Sequence, residues 1–241
     1  AGRDQSLDGR PTVLFMSFND RTGCPVLGRR GDDRFEALDP ELEKINFSNL
    51  SRNCLGAMIR LAREYPEIHV IIKSKNHVLA VESLNAGLED DTGLPESLEV
   101  LVGGNSFDLI VGSDVLCTIN SGSLFEALAA NVEVVSPHFD EAATPLAAPF
   151  MVDLGASATR ANSADELVSM VAEKALSRPA KSRGAELSEA SRQALDQWVN
   201  NSDGKAGERV SRVIMEMVDE RRQRAATKET AQTGEIQTVG G

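Results

Sequence analysis

Short β-branched runs alternate along this chain with stretches in which apolar residues recur every three or four positions. The first run, Thr12–Met16 (TVLFM), is of the kind found in strands buried on both faces, and residues 17–23 leave it as a polar loop. Residues 28–43 are charged, carry Gly31 and Pro40, and show no stripe; a long surface loop and a lid are both compatible with them. Leu50, Cys54, Leu55, Met58, Ile59, Leu61, Ala62 and Tyr65 then predict an amphipathic helix over 49–65, with Ser48 or Asn49 as cap and Pro66 as its stop. The rhythm continues as a strand over 68–73, a helix near 78–86, a strand over Leu98–Val102 and a short helix over 107–112. Next come an apolar run at 115–119, a polar turn at 120–123, a helical stretch at 124–130 and a second β-branched run at 132–135. A sixth strand is expected at 150–154. Helices follow over 163–176 and 185–199, and a last one after Gly204 carries Val210, Val213, Ile214, Met217 and Val218 on one stripe. Strands and helices alternating at this spacing predict an α/β fold, a parallel sheet of about six strands with helices on both faces and a helical C-terminus. The domain is expected over 11–224, between a linker at 1–10 and a polar tail at 225–241 that reads as disordered.

Composition narrows the class. A chain of 241 residues with a net charge of -12 lacks the basic footprint of a general nucleic-acid binder. Three cysteines, Cys24, Cys54 and Cys117, without CxxC spacing argue against a disulfide framework or a zinc site and for a reducing compartment. No run reaches the roughly 20 apolar residues that span a bilayer, so the reading is a cytoplasmic protein. No GxGxxG follows the first strand and no GxxxxGK[ST] occurs, which argues against nicotinamide-dinucleotide and P-loop chemistry.

The turn at 120–123 has the richest chemistry. Parallel strands joined by a helix put the strand-to-helix turn at the carboxyl edge of the sheet, where open α/β folds collect ligands. Ser121, Gly122 and Ser123 fall there. Hydroxyls, unpaired helix-end N–H groups and a small residue together suit a phosphate. The alternative is that one serine only N-caps the helix.

Three segments carry a family resemblance: IIKSKNH at 71–77, DVLCTINSGSLFEAL at 114–128, and WVNNSDGKAGERV at 198–210. Together they resemble the C-terminal, donor-nucleotide-binding half of GT-B glycosyltransferases, in particular the bacterial surface and capsular polysaccharide group with its CDP-glycerol glycerophosphotransferase-like enzymes. The resemblance implies a Rossmann-like domain, half of a GT-B fold. It implies that Ser121, Gly122 and Ser123 hold donor phosphates and that Glu126 contacts the ribose or sugar hydroxyls. Relatives often show Lys-Pro-His-Pro after the second strand, where this chain has Lys-Ser-Lys-Asn-His. Lys73 keeps its place as a phosphate ligand, while His77 is displaced by two residues and could serve or not. His138, just past the 132–135 run, is a further donor-side candidate or a plain loop histidine. His69 reads as a packed histidine.

The resemblance also implies a nucleotide-activated donor as substrate and no cofactor; no Asp-x-Asp pair occurs, so metal is expected to matter little, and Asp32-Asp33 and Asp90-Asp91 read as solvated loop charges. It places the acceptor site in a preceding domain or a partner subunit, and allows peripheral membrane association of the full-length enzyme at the cytoplasmic face. Two other readings stay open: a sugar-nucleotide epimerase-like domain, and a non-catalytic Rossmann-like binding or assembly module.

Overall fold

The computed structural model describes residues 9–23, 44–74, 93–177, 186–200 and 202–236. They divide into two compact units, Ala1–Trp198 and Val199–Gly241. The expected helix near 78–86, the loop at 28–43, the acidic pairs and Cys24 lie outside the described residues.

The first unit is built on one six-stranded sheet. Its strands are β1 (Thr12–Met16), β2 (His69–Ser74), β3 (Leu98–Val102), β4 (Val115–Cys117), β5 (Glu133–Pro137) and β6 (Thr159–Ala161). They lie in the order β3-β2-β1-β4-β5-β6, and every pairing is parallel. This is the Rossmann-like, doubly wound order, in which the chain reverses direction across the sheet between β1 and β4. Both central strands are buried throughout, and apolar but for Thr12, because both faces are covered.

Alternation along the strands sends side chains to two cores. Val13, Phe15, Val70, Ile72, Val115 and Cys117 face α1 (Ser48–Glu64) and α4 (Ala164–Ser177). Leu14, Met16, Ile71 and Leu116 face α2 (Ser106–Gly112), α3 (Ser123–Ala129) and α5 (Glu189–Val199). Helix α1 buries Leu50, Leu55, Met58, Ile59 and Leu61 on a single face. Truncating a fully buried member such as Met58 to alanine is expected to cost about 2–5 kcal/mol. The helix ends where Tyr65 donates its N–H to the Leu61 carbonyl at 2.9 Å and Pro66 prevents another turn. Helix α4 begins as expected at Ser163, whose Oγ accepts the Glu166 N–H at 3.1 Å. Cys54 and Cys117 are buried in the first core, and burial pushes both thiols well above their usual range.

The sixth strand departs from expectation. Residues 150–154 are apolar except for Asp153, yet they form a 3-10 turn and loop, and the edge strand is Thr159–Ala161. Val152 is held by the side chain of Asn120 instead of a strand partner, at 2.9 Å. In the second unit, α6 (Ala206–Ile236) continues past residue 225, where a disordered tail is expected. Ala225, Ala226, Lys228 and Glu229 are good helix formers, so a polar composition there does not prevent helix. The expected domain 11–224 also runs across the division at Trp198. Val210, Val213, Ile214 and Met217 lie exposed on α6. At its start the Asp203 carboxylate accepts the Lys205 N–H at 2.9 Å and pairs with Arg209, which together hold that carboxyl below the usual range. Among the described residues, no helix is long and apolar enough to cross a membrane.

Candidate functional site

The reversal between β1 and β4 opens the carboxyl edge of the sheet between two loops, and this is where open α/β sheets take ligands. One loop is 17–23, after β1, and the other is 118–122, after β4. The first is a locked turn: the Asn19 carboxamide oxygen accepts from the Arg21 N–H at 3.1 Å and the Thr22 hydroxyl at 3.0 Å. Thr118, at the base of the second, is buried and donates its hydroxyl to the Met16 carbonyl at 2.9 Å.

The serine turn is internally ordered. Ser121 Oγ accepts the Ser123 N–H at 3.3 Å and donates its own hydrogen to Ser123 Oγ at 3.2 Å. Ser121 therefore does part of what an N-cap does, while the hydroxyl hydrogen of Ser123 finds no acceptor among the described residues. Ser123 is 9% exposed and Ser121 half-buried. Gly122 has an ordinary helical φ of -55°, and a Cβ there would meet nothing within 4 Å. The fold itself does not call for glycine at this position. Helix α3 has seven residues, so its dipole adds little, and the polar character of the turn comes from hydroxyls and amides.

Lys73, next to last in β2, lies on the same face as Ile71, in register with Met16 on one side and Leu101 on the other. Met16 follows Phe15, the partner of Cys117, so the row Lys73, Met16, Thr118 crosses three strands. Two strand spacings put Lys73 about 10 Å from Thr118, on the face that packs α3. Its side chain is 5% exposed, and among the described residues its ammonium donates only to the Ser74 carbonyl, at 3.3 Å. No carboxylate among the described residues pairs with it, and burial lowers its pKa. A buried ammonium whose partner is neutral is a poor structural element and a good receptor for an anion.

The other candidates separate. Glu126 is exposed on the outer side of α3. His138 is half-buried after β5, its backbone N–H donating to the Ala161 carbonyl at 2.7 Å. His77 lies outside the described residues. His69 is buried and lies 3.5 Å from the Glu99 carboxylate. Asp114, the first residue of the DVLCTINSGS segment, accepts the Thr12 N–H at 2.8 Å, at the opposite edge of the sheet from the serines.

The N-terminus of α1, where many dinucleotide folds receive a pyrophosphate, is already filled. Glu141, in the loop after β5, accepts the N–H groups of Asn49 and Leu50 at 3.1 and 2.8 Å. Beside it Asp140, at φ +45°, accepts from the Asn53 side chain at 2.6 Å.

Two residues outside the expected set also shape the edge. Asn120 has φ +46°, and its carboxamide reaches both the loop after β1 and the segment at 151–152. Asparagine ahead of a Ser-Gly-Ser turn is a usable signal, since asparagine tolerates the left-handed region better than most residues. Asp153 accepts from the Gly155 N–H at 2.9 Å and pairs with Arg160 at 2.7 Å, and these hold its carboxyl low, with His138 adding a smaller effect. Its carbonyl takes the Trp198 indole N–H at 2.8 Å, and that indole leans on Phe125 of α3 with centroids 6.2 Å apart.

No protein-family model matches this chain, and neither does any curated protein. Among solved structures it is similar to a putative UDP-N-acetylglucosamine 2-epimerase from Listeria monocytogenes, at 13% identity over 91% of this chain and 49% of that one, TM-score 0.48. It is also similar to the E. coli ADP-heptose LPS heptosyltransferase II, at 15% identity over 69% and 47%, TM-score 0.42. A third is KpsC, beta Kdo 2,4 transferase, of Thermosulfurimonas dismutans, at 20% identity over 56% and 36%, TM-score 0.34. The chain spans less than half the length of each. Likeness at this level carries no residue correspondence, and the fold class rests on the strand order itself.

Proposed function

We propose that this chain is the donor-binding domain of a glycosyltransferase, half of a GT-B fold, and that it binds a nucleotide-activated sugar or polyol at the carboxyl edge between β1 and β4. The observation that carries the reading is Lys73, a buried ammonium without a carboxylate partner among the described residues, on the sheet face that packs the Ser121–Ser123 turn. In this reading a diphosphate takes the Lys73 charge, the free hydrogen of Ser123 Oγ and the turn amides, with Gly122 leaving room for its oxygens. In this reading Glu126, exposed on α3, accepts from sugar hydroxyls, and His138 belongs to the donor side after β5. The acceptor side comes from a second domain or subunit, and the biological setting that the sequence resemblance favours is bacterial surface polysaccharide synthesis.

Calorimetry with CMP, CDP, UDP and GDP tests it. The diphosphates are expected to bind in the presence of EDTA, and to stabilise the fold by about 2.7 kcal/mol at a hundredfold excess over Kd. Absence of heat and of any thermal shift across the panel would remove the donor-domain reading.

A further inference from the structure

The Asn120 side chain ties together three segments around the proposed site. Its backbone is left-handed, φ +46°, between the end of β4 and the serine turn, so it sets the direction in which Ser121 to Ser123 leave the sheet. Its Oδ1 accepts the Val152 N–H at 2.9 Å, and its Nδ2 donates to the Thr22 carbonyl at 3.3 Å and lies 3.7 Å from Met151 Sδ. The Thr22 contact matters because 19–22 is a self-locked turn, so one bond docks the loop as a unit. Next to Thr22 stands Gly23, at φ +76°, and the three atoms nearest a Cβ built there all belong to Asn120. Glycine at 23 lets the carboxamide press against the loop backbone. A donor and an acceptor on a planar amide, two rotatable bonds from a constrained backbone, hold the loops at a set separation.

We propose that Asn120 is the positioning residue of this site: without touching the ligand, it holds the loop after β1 against the serine turn, so that both sides grip a nucleoside diphosphate. This rests on the nucleotide-binding reading above. A phosphate chain feels the separation of its two walls more than a nucleoside does, because charge-assisted hydrogen bonds weaken steeply with distance and angle. The second phosphate therefore depends most on Asn120.

The test is Asn120→Gly, which keeps the left-handed backbone available and deletes all three side-chain links. Affinities for CMP and CDP, UMP and UDP, and GMP and GDP are measured by calorimetry, alongside melting temperature and amide exchange at Val152. The expected result is faster exchange at Val152 and a diphosphate-over-monophosphate preference that falls by about tenfold or more. A general loosening would weaken each pair alike, so an unchanged preference in Asn120→Gly overturns the positioning role. If the unmodified protein binds none of the six, the nucleotide reading falls and this inference with it. Should Asn120→Gly not fold, Asn120→Asp carries the same test, since it keeps the acceptor for Val152 and lacks the donor to Thr22. A preference preserved there, or restored by salt that screens the added carboxylate charge, overturns the proposal, and one lost at low and high salt alike supports it.

Discussion

Replacing Lys73 by methionine should make the protein more stable and worse at binding. Methionine matches the length of the lysine stem, and the row it would enter already contains Met16 and Leu101. What disappears, among the described residues, is one ammonium, 5% exposed, and one neutral hydrogen bond of 3.3 Å. Exchanging a buried charge for a well-packed apolar group is commonly neutral or stabilising by about 1–4 kcal/mol. With one long neutral bond to lose against that, a gain of about 1–2 kcal/mol is expected, or roughly 2–8 °C in Tm for a domain of this size. Binding should move the other way, by about 1.5–3 kcal/mol for the loss of a charge-assisted contact to phosphate, tenfold or more in Kd. The pH dependence follows from the lowered pKa. Below the folded value both states hold the proton and the burial penalty is present. As pH rises from there toward the ordinary 10.5, the folded state sheds its proton first and the penalty is relieved. The stability advantage of Lys73→Met should therefore shrink as the solution becomes alkaline. Paired melting curves between neutral pH and pH about 10, with calorimetry against CDP, UDP and GDP, measure all three effects. A variant that melts lower than the parent while keeping its nucleotide affinity would show that the lysine is there for the fold, and Lys73 would no longer support the site.

The serine turn gives a second set of outcomes. Gly122→Ala should raise Tm by about 1–4 °C, since φ is helical and the space is open, yet weaken diphosphate binding by crowding the oxygens. Ser123→Ala should weaken binding about tenfold with little change in stability, whereas Ser121→Ala, which also loses the bond to the Ser123 N–H, should lower stability by about 0.5–2 kcal/mol. Glu126→Gln should affect the sugar conjugate and leave the free nucleotide unchanged, as compared by calorimetry. Glu141→Ala should destabilise the fold by about 0.5–2 kcal/mol in chemical denaturation, because it uncaps α1; an unchanged midpoint would mean that water replaces the carboxylate at no cost.

How far the sequence reaches can be judged element by element. Runs with strong periodicity, such as the TVLFM strand and the α1 stripe, carry their own structure, because burying a continuous apolar face outweighs other local preferences and leaves one arrangement. Strand β6 has no such pattern. With three residues and a single apolar one, Ala161, an edge strand of this kind offers nothing to read, while the better-patterned stretch at 150–154 is diverted by a side chain 32 positions earlier. The site divides along the same line. Ser121 to Ser123 could be placed at the carboxyl edge because a turn between a strand and a helix has only one place to go. That Lys73 is buried follows from strand alternation with Ile71, yet the lack of a carboxylate partner among the described residues is a three-dimensional fact. Glu141 and Asn120 act across 91 and 98 positions, and no local pattern announces such bonds.

The strand order also bears on how this protein comes to be folded. Strand β1 lies at the centre of the sheet, and its neighbour β4 holds it through Asp114, 102 positions after Thr12. At synthesis rates of about 5–20 residues per second, one flank of an apolar central strand waits roughly 5–20 s for its partner to be made. The β3-β2-β1 half can assemble in that interval, but it presents Val13, Leu14 and Phe15 as an open edge. Slower growth at lower temperature, or a holdase that covers this edge, is then expected to raise the yield of folded protein more than any change to the finished core.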